Sequence, residues 1–119
     1  MLKKRLNSFR YAIAGIAEMV RSQANLKIHL MAAVAVISAG CYFDLPPTEW
    51  CVVAFAITSV LAAEGFNTAL EYLTDLVSPE YHPLAGKAKD VAAGAVLLTA
   101  IGASAVGLLV FLPKILALL

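Results

Sequence analysis

Between Glu64 and Asp75 the chain reads Glu64-Gly-Phe-Asn67-Thr68-Ala-Leu-Glu71-Tyr-Leu-Thr-Asp75, with three carboxylates and one amide in a short stretch. At 100° per residue, with Glu64 at zero, Asn67 falls at about −60°, Glu71 at about −20°, Asp75 at about +20° and Thr68 at about +40°. Apart from Thr74, the polar side chains share one helical stripe. Like charges at this spacing repel, so the row is intelligible where it meets cations, protons or partner helices. The plain alternative, a solvated helix end, accounts for Asp75 but not for Glu64 or Asn67.

A turn-rich connection follows: Ser78-Pro-Glu80-Tyr81-His82-Pro83-Leu-Ala-Gly86-Lys87-Ala-Lys89-Asp90. Taken singly, Lys87 or Lys89 reads as an interfacial anchor and His82 as a hydrogen-bonding loop residue or, less commonly, a base or ligand. Taken together, a lysine, an aspartate and the preceding carboxylates suit phosphate and metal chemistry, because Mg²⁺ takes oxygens from one or two carboxylates and from the phosphates themselves. Neither GxxxxGK[ST] nor GxGxxG occurs, which excludes a soluble-type nucleotide fold.

The elements that must position these groups are apolar. Hydrophobic residues make up 61% of the 119 residues and charged ones 14%, with a mean hydropathy of +0.84. Soluble domains have about 45–50% and roughly 25%, so a soluble domain is excluded. Uncharged apolar runs cover Leu30 to Phe43, Trp50 to Ala63 and Val91 to Leu112. The net charge of +1 conceals an asymmetry: every base except Lys114 lies before the first run or between the second and third. The Asp44-Leu-Pro-Pro-Thr-Glu49 link has none. The positive-inside rule then predicts three spans with the N-terminus and the Glu71 to Asp90 connection in the cytoplasm and the C-terminus outside.

The first two runs cover only about 21 Å at 1.5 Å per residue, against roughly 30 Å of hydrocarbon. Their helices must therefore extend through polar residues. The spacing predicts membrane helices over about 25–43, 48–77 and 88–112, the second capped by Thr48 and ended by Ser78-Pro79. Counting about 20 residues inward from Trp50 places Glu64 inside the hydrocarbon, Glu71 at its cytoplasmic edge and Asp75 just beyond. Asn25, Lys27 and His29 reach the inner leaflet and Lys89 and Asp90 its cytoplasmic boundary, so polar groups from all three helices are expected to converge at one depth. Ahead of the spans, Phe9, Ala12, Ile13, Ile16, Met19 and Val20 mark an amphipathic helix over about 7–22. It is too polar to span and is expected to lie in the cytoplasmic interface or to pack on its own bundle. No cleavable signal fits the interrupted N-terminal stretch. Cys41 and Cys51 read as small space-fillers. Three spans cannot enclose a polar cluster alone, so an oligomer is expected.

Two other classes compete with a phosphate enzyme. An ion or proton pathway also uses intramembrane carboxylates, but it needs polar groups through the full thickness, and the outer part of the spans holds little beyond Ser38, Thr58, Ser59, Thr99 and Ser104. A structural assembly subunit explains the small residues Ala92-Ala-Gly94-Ala and Gly102-Ala-x-Ala-x-Gly107 but leaves Glu64 to Asp90 without a task.

The combined pattern Glu64-x-x-Asn67-Thr-Ala-x-Glu71-x-x-x-Asp75, Glu80-Tyr-His82-Pro-Leu-Ala-x-Lys-Ala-Lys89-Asp90-x-Ala-Ala-Gly-Ala-Val resembles the prokaryotic diacylglycerol kinase family of small trimeric membrane kinases. The likeness extends to Ser8-Phe-x-Tyr11-Ala-x-x-Gly15-Ile and Asn25-x-Lys27-Ile-His29, nearly the whole chain. The Asn67-Thr-Ala and His82-Pro-Leu-Ala forms look most like its undecaprenol kinase branch. The resemblance implies a single kinase domain over 1–119, a homotrimer with sites shared between subunits, and a multi-pass place in the bacterial inner membrane with the active site facing the cytoplasm. It implies phosphorylation of a lipid alcohol by ATP and Mg²⁺, with undecaprenol favoured over diacylglycerol and no nucleic-acid partner. By the same likeness Glu64 is the general base, supported by Asn67. Glu71 holds Mg²⁺, and Lys89 and Asp90 contact the phosphates and their metal. Lys4, Tyr11, Glu80, Tyr81 and His82 surround the nucleotide. One position departs: Gln23 stands where the family often has a metal-binding Glu, and its carbonyl can ligate Mg²⁺ without supplying charge.

Overall fold

A computed structural model describes residues 1–119 as four helices: α1 (Leu2–Ser22), α2 (Ala24–Tyr42), α3 (Pro47–Val77) and α4 (Pro83–Leu116). The chain is all-helical, and α2, α3 and α4 are each long and apolar enough to cross a membrane. The 19 residues of α2 rise about 28 Å, close to the hydrocarbon thickness. With 31 and 34 residues, α3 and α4 are longer than that thickness.

Boundaries differ from those read along the sequence at the starts of α1 and α3 and at both ends of α4. α1 starts at Leu2 and not near residue 7, because Lys3, Lys4 and Arg5 wind into its first turn although no acid is there to balance the helix dipole. α3 begins at Pro47 with Pro46 as its cap. A proline in the first helical position brings a φ already suited to the helix, so Thr48 sits inside the helix and caps nothing. α4 begins at Pro83 and not at 88, and its cap is His82, whose Nδ1 accepts from the Leu84 amide at 3.1 Å. The lysines that read as connection therefore ride on helix. At the other end α4 runs through Pro113, which removes one amide donor near the final turn.

α3 and α4 form an antiparallel hairpin pinned at both ends, by Lys89 with Asp75 and by Lys114 with Glu49 at 2.9 Å. Leu45, Val53, Val110 and Phe111 make the chain's own packed core near the Glu49 end. α2 ends in a Schellman motif: the Leu45 amide donates to the Gly40 carbonyl and the Asp44 amide to the Cys41 carbonyl. Asp44 takes the left-handed conformation there, with φ 52°. Gly40 then meets Trp50 so closely that a Cβ would lie 2.5 Å from the indole ring. Only 13 of 119 residues are buried, so most apolar side chains face outward. Cys41 and Cys51 are exposed free thiols. They fill no space within the chain, whose packed core at that end is built by Leu45, Val53, Val110 and Phe111.

Candidate active site

The polar stripe of α3 is graded in burial. Glu64, Asn67 and Thr68 are buried, Glu71 is half-buried and Asp75 is exposed. A solvated helix end would not bury its first acid to 3% exposure. Thr68 donates its hydroxyl to the Glu64 backbone carbonyl at 2.9 Å, which leaves the Glu64 side chain free for another partner. That partner is His29 of α2, whose Nε2 lies 3.1 Å from Glu64 Oε1. A helical face of apolar neighbours brings the two together: Leu26 is buried one turn before His29, and Val60 one turn before Glu64.

One turn beyond Glu64, Asn67 Nδ2 donates to Glu71 Oε1 at 3.2 Å. The other amide atom, Oδ1, is buried and has no hydrogen-bond partner. The amide thus holds Glu71 on one side and offers a bare oxygen beside it. Farther along, Lys89 of α4 donates to Asp75 Oδ1 at 2.5 Å. Asp75 is eleven residues from Glu64, about 16 Å of helix rise. The polar groups of α2 and α4 therefore meet α3 at different depths and not, as the span arithmetic predicts, at one level. Of the α2 polar residues only His29 reaches the stripe, because Asn25 and Lys27 lie on exposed faces.

α1 joins the site through a residue that its spacing did not single out. Tyr72, next to Glu71, donates to Glu18 Oε1 at 3.1 Å, and Arg21 donates to Glu18 Oε2 at 2.6 Å. The Arg21 guanidinium and then the Tyr72 hydroxyl hold the Glu18 carboxyl below the usual carboxylate range. On the α1 wheel Lys4, Tyr11 and Glu18 fall within about 40°, and Leu2, Leu6, Phe9, Ile13, Ile16 and Val20 lie opposite. The stripe that carries Lys4 and Tyr11 is thus continuous with the contact to α3. Both side chains are exposed and hydrogen-bond to nothing in the chain. Gln23 is the half-buried single residue between α1 and α2, in extended conformation, with its amide donating to the Met19 carbonyl. The carboxylate that α1 sends to α3 is Glu18, not a group at position 23.

In the α3–α4 connection, Ser78 donates to the Glu80 carbonyl at 2.8 Å. The Glu80 and Tyr81 side chains are exposed, His82 caps α4, and Asp90 is exposed beside Lys89. The Ser38, Thr58, Ser59, Thr99 and Ser104 hydroxyls each bond back to a carbonyl of their own helix. Two apolar hollows border the α3 residues next to Glu64, and Glu64 itself lines neither. One, of about 280 Å³, runs from His29 between α2, α3 and α4. The other, of about 290 Å³, lies between α1, α2 and α3, lined by Ile16, Met19, Leu26, Leu61 and Gly65 among others.

Residues 10–111 match the family described as prokaryotic diacylglycerol kinase. An undecaprenol kinase of Bacillus subtilis is 40% identical over 114 residues, covering 96% of this chain and 93% of that protein. A diacylglycerol kinase of Synechocystis sp. is 46% identical over 115 residues, covering 96% of this chain and 66% of that protein. A diacylglycerol kinase of Pseudomonas aeruginosa is 31% identical over 94 residues, 79% of this chain and 76% of that protein. A buried acid and a paired amide along one membrane helix, with a lysine of the next helix paired to the same stripe, together with likeness over nearly the full length, lead to one conclusion: the chain belongs to the prokaryotic diacylglycerol kinase family, a membrane lipid kinase that uses ATP.

Proposed function

We propose that the chain transfers the γ-phosphoryl group of ATP to undecaprenol at the cytoplasmic face of a bacterial inner membrane. The observation that carries the chemistry is the buried Glu64 carboxylate, the deepest acid of a stripe that reaches the membrane surface at Asp75 and Lys89. A lipid alcohol arrives from the bilayer side and ATP from the water side, and the parts lie along α3 in that order. Glu64 accepts the proton of the lipid hydroxyl as that oxygen bonds to the γ-phosphorus. The bond from this phosphorus to the β–γ bridging oxygen breaks, and ADP leaves with the electron pair.

The residues near Glu71 fit Mg²⁺. Glu71 supplies a carboxylate, and Asn67, whose Nδ2 bonds that carboxylate, has a buried Oδ1 with no partner of its own; both are hard oxygen donors. No three His, Cys, Asp or Glu side chains form a cage, and Mg²⁺ characteristically shares one or two protein oxygens with substrate phosphates. When bound, the ion neutralises charge on the phosphate oxygens. Glu71 would hold it, with the oxygens of Asn67 and of Gln23 at the α1–α2 joint as further ligands. Lys89, tethered by Asp75, and Asp90 face the phosphates. Lys4 and Tyr11 face the nucleotide from α1, and Glu80, Tyr81 and His82 face it from the connection. The apolar face of α1 lies in the cytoplasmic interface. The outward apolar surface of the spans is shared between lipid and two further copies, in a homotrimer.

The substrate assignment rests on end-to-end likeness to the undecaprenol kinase and on the Asn67-Thr-Ala and His82-Pro-Leu-Ala forms. The hollow between α1, α2 and α3 beside Glu64 accepts the first units of a polyprenol tail. Diacylglycerol is the second reading, favoured by the name of the 46% identical relative. The test is a competition: purified protein, ATP, Mg²⁺ and both lipids in one bilayer, with both phosphorylated products scored. Undecaprenyl phosphate is the expected main product. A clear preference for diacylglycerol overturns the substrate, and the absence of either product overturns the reading as a whole.

A further inference from the structure

The Glu64 carboxylate has one side-chain partner, and it comes from another helix. Thr68 is occupied with the Glu64 backbone carbonyl, and the Asn67 amide is occupied with Glu71. His29 Nε2, 3.1 Å from Oε1, is what remains. The surroundings are otherwise apolar. Leu26 and Val60 are buried beside the pair, the Met19 side chain lies over Gly65, and His29 forms the polar end of a hollow walled by Ala33, Val60 and Leu61. A carboxylate in such a place rotates freely about its last torsion unless a partner holds it.

We propose that His29 is the positioning residue for Glu64: its Nε2–H holds Oε1, so that Oε2 is the oxygen presented to the lipid hydroxyl. This rests on the reading of Glu64 as the base. His29 touches neither substrate in this account and acts through Glu64 alone. A small displacement of a reacting group lowers turnover far more than binding, so losing the donor lowers kcat and spares nucleotide affinity. The pairing also explains why α2, which packs only lightly on α3 between its ends, meets it here.

The test uses the full-length protein in lipid bilayers with ATP, Mg²⁺ and a polyprenol, and compares His29→Met with His29→Gln. Methionine fills similar volume without a donor, whereas the glutamine amide places an N–H near the position of Nε2. Expected are a loss of about tenfold or more in kcat for His29→Met with KM for ATP within about twofold of wild type, and recovery of most of that loss in His29→Gln. Oligomer size and Tm are measured for both. Equal kcat in His29→Met and wild type overturns the inference. So does an equal loss in both variants at equal Tm, which would make the role one of packing. Glu64→Gln, run alongside, separates the two levels. If it still turns over, the base assignment fails. If it is inactive while His29→Met is unimpaired, only the positioning role fails.

Discussion

The Tyr72 hydroxyl on α3 donates to Glu18 Oε1 on α1 at 3.1 Å, and Tyr72 directly follows Glu71. α1 is thereby fastened beside the acid assigned to Mg²⁺, with its Lys4 and Tyr11 stripe on the same side. Tyr72→Phe removes the fastening and little else, so kcat/KM for ATP is expected to fall severalfold with the fold intact. Steady-state kinetics across an ATP titration check this, and an unchanged kcat/KM would detach α1 from nucleotide binding.

The same contact has a pH signature. The Glu18 pKa lies below its ordinary value, chiefly through Arg21 and then Tyr72. A depressed carboxylate pKa means that the contact is complete above the ordinary glutamate range and is lost as pH falls through the depressed value. Spin labels on α1 and α3 are expected to report a constant distance from neutral pH through that range, lengthening only below it. In Tyr72→Phe the bond between the helices is absent at every pH, so the distance is longer already at neutral pH and does not change further through that range.

For Glu71→Ala the expected result is loss of activity together with weakened Mg²⁺-dependent ATP binding. Removal of the carboxylate leaves the Asn67 oxygen as a neutral donor, which binds the ion less strongly. Nucleotide affinity that does not respond to Mg²⁺ in either protein would count against the metal role.

Gln23→Glu tests the departure at the α1–α2 joint. If the residue 23 carbonyl ligates the ion, a charged oxygen there lowers the Mg²⁺ concentration that gives half-maximal rate. An unchanged Mg²⁺ dependence would place Gln23 outside the ligand set and leave it as the joint between two helices.

Gly40→Ala concerns stability. A Cβ there lies 2.5 Å from Trp50 Cη2 and 2.9 Å from Cζ2, and the ring is packed against the Leu45, Val53 and Phe111 cluster. Forcing them apart costs about 1–3 kcal/mol, read as a lower Tm, while turnover at low temperature persists because the site lies at the opposite end of α3.

The α3 stripe was legible because helical periodicity alone puts Glu64, Asn67, Glu71 and Asp75 on one face. The three spans were legible because long apolar runs have few other uses. Boundaries at α1 and α4 were not, since Lys3 to Arg5 and Lys87 to Lys89 read as tail and turn, although charged residues wind into helix readily when water is on one side. Pairings between helices were illegible for a different reason. Whether Lys89 meets Glu71 or Asp75, and whether His29 or Lys27 meets Glu64, depends on how far one helix slides along another. That register is set by contacts such as Gly40 against Trp50 and Met19 against Gly65, which spacing within a single helix does not encode. Glu18 carries no signal in the sequence, because an acid flanked by bases on an amphipathic helix is an ordinary surface group unless a partner such as Tyr72 lies against it.

Glu64→Gln is the most direct test of Glu64 as the acceptor of the lipid proton. The amide is nearly isosteric, is cheaper to bury than a carboxylate and cannot take the proton. Measured as ATP-dependent phosphorylation of undecaprenol by the purified, correctly assembled variant, activity is expected to vanish while ATP and Mg²⁺ binding persist. Turnover near the wild-type rate in that variant would contradict the account.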